Sequence, residues 1–189
     1  MNPKIIILLG VSGSGKGTQA KLLQEKIGLD YVGSGDLLRE RADADDFTGR
    51  KLKGVLERGG FAPSAIIFKL WIDKWERIKN NPVFQGFIID GSPRKLQEAV
   101  LIDQSLEWYD WDKYLKVLLL EISSNEAFLR LSKRGRQDDT ESSINSRLDL
   151  FEKEVVPVIE YYKKANRLIR INGEQSIENV HKDIMKSLK

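Results

Sequence analysis

The chain alternates between short runs that are apolar on both sides and longer stretches whose apolar residues recur every three or four positions. The runs are KIIILL (Lys4 to Leu9), a weak Tyr31-Val32, FIID (Phe87 to Asp90), YLKVLLLEI (Tyr114 to Ile122) and LIRI (Leu168 to Ile171). Blocks of this length and apolarity predict strands buried between two layers. Between them, spacings such as Ala20, Leu22, Leu23 and Ile27 predict amphipathic helices. Alternation of the two predicts a parallel sheet with helices on both faces.

Two stretches break the alternation. From Gly35 to Asn80 the pattern is helical with no convincing strand, and RGGFAPS (Arg58 to Ser64) interrupts it with paired glycines and a proline. We expect an inserted helical flap there. SKRGRQDDTESS (Ser132 to Ser143) is polar, sets Gly135 between two arginines, and leads into a long helix that Pro157 should kink or punctuate. With no repeat and no long linker, the 189 residues are expected to form one domain with two mobile pieces.

Composition narrows the class. A hydrophobic content of 41% is enough for a sizeable core. The longest apolar run near the start, Ile5 to Leu9, is too short for a membrane span or a secretion signal, so a cytosolic protein is expected. Zero cysteines leave no disulfide framework and no thiolate zinc site. The single histidine, His181, falls in a late polar helix and is expected on the solvated surface. With 31 basic and 28 acidic residues the surface is mixed. That argues against a broad basic face for nucleic acid but leaves room for a local cluster of arginines around phosphates.

The most specific chemical signal is GVSGSGKGTQA (Gly10 to Ala20), directly after the first strand. Gly10, Gly13 and Gly15 let the backbone turn tightly and point successive N–H groups inward. The helix that begins near Gly17 adds its dipole, and Lys16 supplies a charge. The generic phosphate loop has Ser or Thr directly after the lysine; here Gly17 intervenes and Thr18 follows. This spacing predicts a nucleoside triphosphate site. A second stretch, GFIIDGSPRKLQEA (Gly86 to Ala99), ends an apolar strand on Asp90 and places Arg94 four residues later. On residues alone it is either a metal and phosphate site or an ordinary strand-turn-helix junction.

These motifs, in this order, resemble the adenylate kinase family of nucleoside monophosphate kinases nearly end to end. YVGSGDLLRE (Tyr31 to Glu40) is similar to the family segment that meets the monophosphate, with Ser34 for its usual threonine and Arg39 at its phosphate-binding arginine. GGFAP (Gly59 to Pro63) resembles the loop whose carbonyls touch the acceptor base, which implies roles for Gly60, Phe61 and Ala62. Gly91 and Arg94 match the family's DGFPR box, although Ser92 replaces its aromatic residue. RLSKRGRQDD (Arg130 to Asp139) and Arg147 resemble the lid and the arginine that follows it, and NGEQS (Asn172 to Ser176) the donor-base loop.

The resemblance implies a P-loop kinase-like, three-layer α/β/α fold with a five-stranded parallel sheet. Its core would cover 1–33, 63–133 and 140–189, with a monophosphate-binding insertion over 34–62 and a lid over 134–139. That lid is too short for the extra β subdomain of long-form relatives. The reaction implied is ATP + AMP ⇌ 2 ADP, in a monomer, with magnesium held through water by Asp90 and no zinc. ATP would meet Gly13, Ser14, Gly15, Lys16, Gly17, Thr18, Arg134 and Gln175, with Arg130 over its base. AMP would meet Ser34, Arg39, the 60–62 loop, Gly91, Arg94, Glu98, Arg136 and Arg147, and Lys16, Arg94, Arg134, Arg136 and Arg147 would drive transfer.

Arginines suit such work because a planar fork holds two phosphate oxygens, and an ionised phosphate acceptor needs no general base. Asp138 and Asp139 read either as hinge carboxylates of the lid or as solvated turn residues. Glu98 stands where adenylate kinases usually carry glutamine. An ionised glutamate only accepts hydrogen bonds, so facing adenine it would leave N1 unpaired. That leaves a UMP, CMP or GMP kinase as the alternative, unless Gln97 takes the role. From another class, the chain could be a non-catalytic nucleotide-binding regulator; Arg136 and Arg147 argue against it, since a binder can dispense with them.

Overall fold

The computed structural model of the chain describes residues 2–136 and 139–188. Five strands, β1 (Lys4–Leu9), β2 (Asp30–Gly33), β3 (Gly86–Asp90), β4 (Leu115–Glu121) and β5 (Leu168–Asn172), form one parallel sheet in the order β2-β3-β1-β4-β5. The weak Tyr31-Val32 run is a genuine strand because β3 supplies its partner, with Val32 opposite Ile89 and Gly33 opposite Asp90.

Strand alternation divides the core between the two faces. Ile5, Ile7, Leu9, Phe87 and Ile89 belong to a cluster with α4 (Ser64–Lys79), α5 (Leu96–Trp108) and α8 (Val156–Lys164). Ile6, Leu8, Ile88, Leu118 and Leu120 belong to a second cluster with α1 (Lys16–Ile27) and α9 (Ile177–Ser187). Strands that are greasy on both sides are what this sandwich of helix, sheet and helix requires.

The chain order also fixes where a site can form. From β1 the chain runs outward to β2 and β3 on one side and only later to β4 and β5 on the other. The loop after β1 therefore opens at the point where the order reverses, the crevice in which open parallel sheets hold ligands.

Between β2 and α4 lie α2 (Ser34–Ala42) and α3 (Phe47–Glu57), so the helical stretch breaks at 58–63, on the paired glycines and the proline. After β4 come α6 (Ser124–Arg134) and α7 (Glu141–Leu150). Pro157 does punctuate the long helix: a π-helical turn, Phe151–Val155, separates α7 from α8. Proline has no N–H and its ring crowds the carbonyl four residues back, which a widened turn accommodates. His181 differs from expectation. It is half-buried, with Nδ1 3.3 Å from Gln19 Oε1, because α9 packs beside α1.

Candidate active site

The glycine-rich loop leaves β1 at the C-terminal edge of the sheet. Gly10 has φ +142°, and a Cβ there would sit 2.5 Å from the Leu120 carbonyl oxygen, so only glycine lets the loop pass so close to β4. Lys16, the first residue of α1, folds back over this loop. Its Nζ donates to the carbonyls of Gly10 at 2.7 Å and Val11 at 2.8 Å, and to Ser14 Oγ at 3.3 Å. Burial lowers its pKa from 10.5 to about 8, Arg94 and Arg134 push the same way, and only Asp90 opposes them.

Asp90 ends β3 on the α1 side of the sheet. A Cβ on Gly17 would lie 3.5 Å from its Oδ2, and the same oxygen accepts the Tyr31 hydroxyl at 3.0 Å. The sequence marks Tyr31 as a strand residue and gives no sign of this contact. Residues two apart on a strand share a face, and Gly33, which has no side chain, gives the Tyr31 ring its room: a Cβ on Gly33 would be 2.4 Å from that ring. Burial first, then the charges of Asp90 and Asp36, push the Tyr31 phenol well above its ordinary pKa.

Arg94 follows β3 by one turn and is fixed without a ligand. Its Nε donates to the Gly91 carbonyl at 2.7 Å and its guanidinium lies 4.8 Å from the centre of the Phe61 ring. Burial draws its pKa below the usual guanidinium value, against the charges of Glu98 and Asp90. Across the cleft, Arg134 makes a two-point contact with Asp139 at 2.7 and 2.6 Å, and Arg147 shares the same carboxylate at 2.6 Å. With 1% of its side chain exposed, Asp139 is not a solvated turn residue. Burial disfavours its charge, yet the two arginines hold its carboxyl below the usual range. Asp138 lies outside the described residues.

Lys16, Tyr31, Asp90, Arg94, Arg134 and Arg147 line one cleft of about 750 Å³, together with Arg39, Arg130 and Arg136. Gly13, Gly15, Gly17, Thr18, Gly60 and Gly91 line it as well. Arg130 ties α6 to the loop after β5, donating to Glu126 at 2.6 Å and to the Gly173 carbonyl at 3.1 Å. Arg39 pairs with Asp36 at 2.6 Å on the exposed flank of α2.

Six of the expected residues do not line the cleft. Ser14 is buried under Lys16, and Ala62 is buried in the core. Ser34 is 1% exposed, with its Oγ accepting the Trp71 indole N–H at 3.0 Å. Gln175 spends its side-chain amide on the Asn172 carbonyl and on Asp183, each at 2.9 Å. Glu98 is 2% exposed, and its two oxygens accept from the Arg94 backbone N–H at 2.7 Å and from Ser64 Oγ at 3.2 Å. Phe61 lines a small side pocket beneath Arg94.

A cleft walled by two lysines and six arginines suits polyanions, and two adjoining anions more than one. Among the described residues no three His, Cys, Asp or Glu side chains form a metal cage. A lone hard carboxylate at Asp90 still fits a magnesium ion that keeps most of its waters and binds chiefly to substrate phosphates. No helix among the described residues is long and apolar enough to cross a membrane.

The family profile described as adenylate kinase matches residues 8–167. The chain is 34% identical to the adenylate kinase of Corynebacterium aurimucosum, over 96% of this chain and 97% of that one. It is 32% identical to the adenylate kinase of Methanocella arvoryzae and 32% identical to adenylate kinase 1 of a Nostoc species, in both cases over 97% of each chain.

Proposed function

The chain belongs to the adenylate kinase family, and on that premise we propose that it transfers the terminal phosphoryl group of ATP to AMP, giving two ADP. The observation that carries this reading is the placement of Lys16, Arg94, Arg134, Arg136 and Arg147 around a single cleft at the C-terminal edge of the sheet. Donor and acceptor are both anions, so the protein's work is to align them, neutralise charge and keep water from taking the phosphoryl group.

Each role follows from position. Lys16 leaves its carbonyl partners in the loop for the terminal phosphates of ATP, which the backbone N–H groups of Gly13 to Thr18 cradle. Arg94 grips the phosphate of AMP, and Arg39 and Arg136 add charge from the insertion and the lid. Arg134 and Arg147 let go of Asp139 and turn to the phosphoryl group in transit, while Arg130 lies along the donor base. We take residues 34–62 as the acceptor-binding insertion and 134–139 as the lid whose closure excludes water. Asp90 would hold magnesium through water, and the ion would supply positive charge to the substrate phosphates. We take the enzyme to work as a monomer and place the reaction in the cytosol.

Lys16→Ala and Arg94→Ala are expected to lower kcat/KM by about a thousandfold or more while leaving the circular dichroism spectrum unchanged. Wild-type rates in either variant would show that the site is misassigned.

A further inference from the structure

Granted the kinase reading above, we propose that Glu98 is a positioning residue for Arg94 and does not read the acceptor base. It is the third residue of α5, where a glutamate commonly turns back to cap its own helix. Here it reaches one residue further. Its Oε2 accepts the backbone N–H of Arg94 at 2.7 Å, while Lys95, the residue flanking the helix, provides no side-chain cap.

The other oxygen faces the insertion. Oε1 accepts from Ser64 Oγ at 3.2 Å, and Ser64 is the first residue of α4, directly after the 58–63 break that carries Phe61. Phe61 in turn supports the Arg94 guanidinium from below. Glu98 thus joins the two segments that bracket Arg94. Its negative charge also offsets the burial of the guanidinium.

With 2% of Glu98 exposed, its carboxylate offers a base almost no surface, and turning it into the cleft would break its bond to the part-buried Arg94 N–H. The mismatch between an ionised glutamate and adenine N1 therefore does not arise, and AMP remains a suitable acceptor. If Glu98 works through Arg94, its loss weakens the grip on the phosphate whatever base is attached.

The test measures KM for AMP, GMP, UMP and MgATP, and the inhibition constant of D-ribose 5-phosphate, which has the phosphate and no base. Wild type, Glu98→Ala and Glu98→Gln are compared. Glu98→Ala is expected to raise all the acceptor constants and that of ribose 5-phosphate by one common factor, about tenfold, with KM for MgATP unmoved. Glu98→Gln keeps an oxygen for the Arg94 N–H and is expected to recover part of the loss; if the alanine variant does not fold, the same pattern at smaller amplitude in Glu98→Gln decides. A change in the order of acceptors with ribose 5-phosphate unaffected would overturn the proposal, as would constants unmoved in both variants. Failure of the broader kinase reading looks different, since the wild type itself would then phosphorylate no monophosphate.

Discussion

Lys16 carries the plainest consequence of burial. Its pKa near 8 in the free protein means that above this pH the amine is mostly neutral, and phosphates bound there, as proposed, would restore its charge. ATP binding at pH 8.5 should therefore take up a large fraction of a proton, and at pH 6.5 almost none from this group. Titration calorimetry in buffers of different ionisation enthalpy measures it, and heats independent of buffer at pH 8.5 would contradict the assignment. The same shift makes the unfolded chain bind the extra proton between about 8 and 10.5, so this group's contribution to the stability of the free protein rises with pH across that window. Asp139 acts with the same sign in the acid range. Its lowered pKa contributes stability above the unfolded carboxylate value of about 4, and that contribution fades as pH falls through the folded value. Asp139→Asn is expected to cost about 1–3 kcal/mol in urea unfolding at pH 7, with the gap to wild type closing below pH 4. The loop was legible as a candidate phosphate site because Gly10 to Thr18 are contiguous in the sequence. Tyr31 on Asp90, Asp139 between two arginines and Glu98 on the Arg94 N–H were not, because each pairing is set by tertiary approach.

Among the elements, the five strands were legible from apolar runs alone, and β2 only weakly, since its four residues are held as a strand by pairing with β3. The break between α3 and α4 was legible from Gly59, Gly60 and Pro63, which oppose helix locally. What the periodicity of α4 does not reveal is the use made of its aromatic residues. Trp71 and Trp75 stack at 6.1 Å, Trp75 meets Tyr109 edge-on at 6.4 Å, and the Tyr109 hydroxyl donates to Glu76. This block holds α4 against α5 and the sheet, with the indole N–H of Trp75 unpartnered among the described residues. Trp75→Ala is expected to destabilise the fold by about 3–5 kcal/mol in denaturant unfolding. A loss below 1 kcal/mol would mean that α4 is held some other way.

For the molecule as a whole, strand order and function are one problem. Placing β1 between β3 and β4 brings the loop at Gly10, the turn at Gly91 and the arginines of α6 and α7 to one edge, from stretches far apart in sequence. Alternation of strands and helices suggested the layers, but only the resemblance of the motifs implied which loops would meet. Arg39 on α2 lines the same cleft as Arg134, Arg136 and Arg147. The most direct measurement is an acceptor screen of the purified protein with MgATP and each nucleoside monophosphate in turn, the nucleotides being resolved chromatographically. Two ADP for each AMP consumed, with AMP preferred over GMP, CMP and UMP, is the result expected; ATP hydrolysed to ADP and free phosphate with no monophosphate phosphorylated would contradict it.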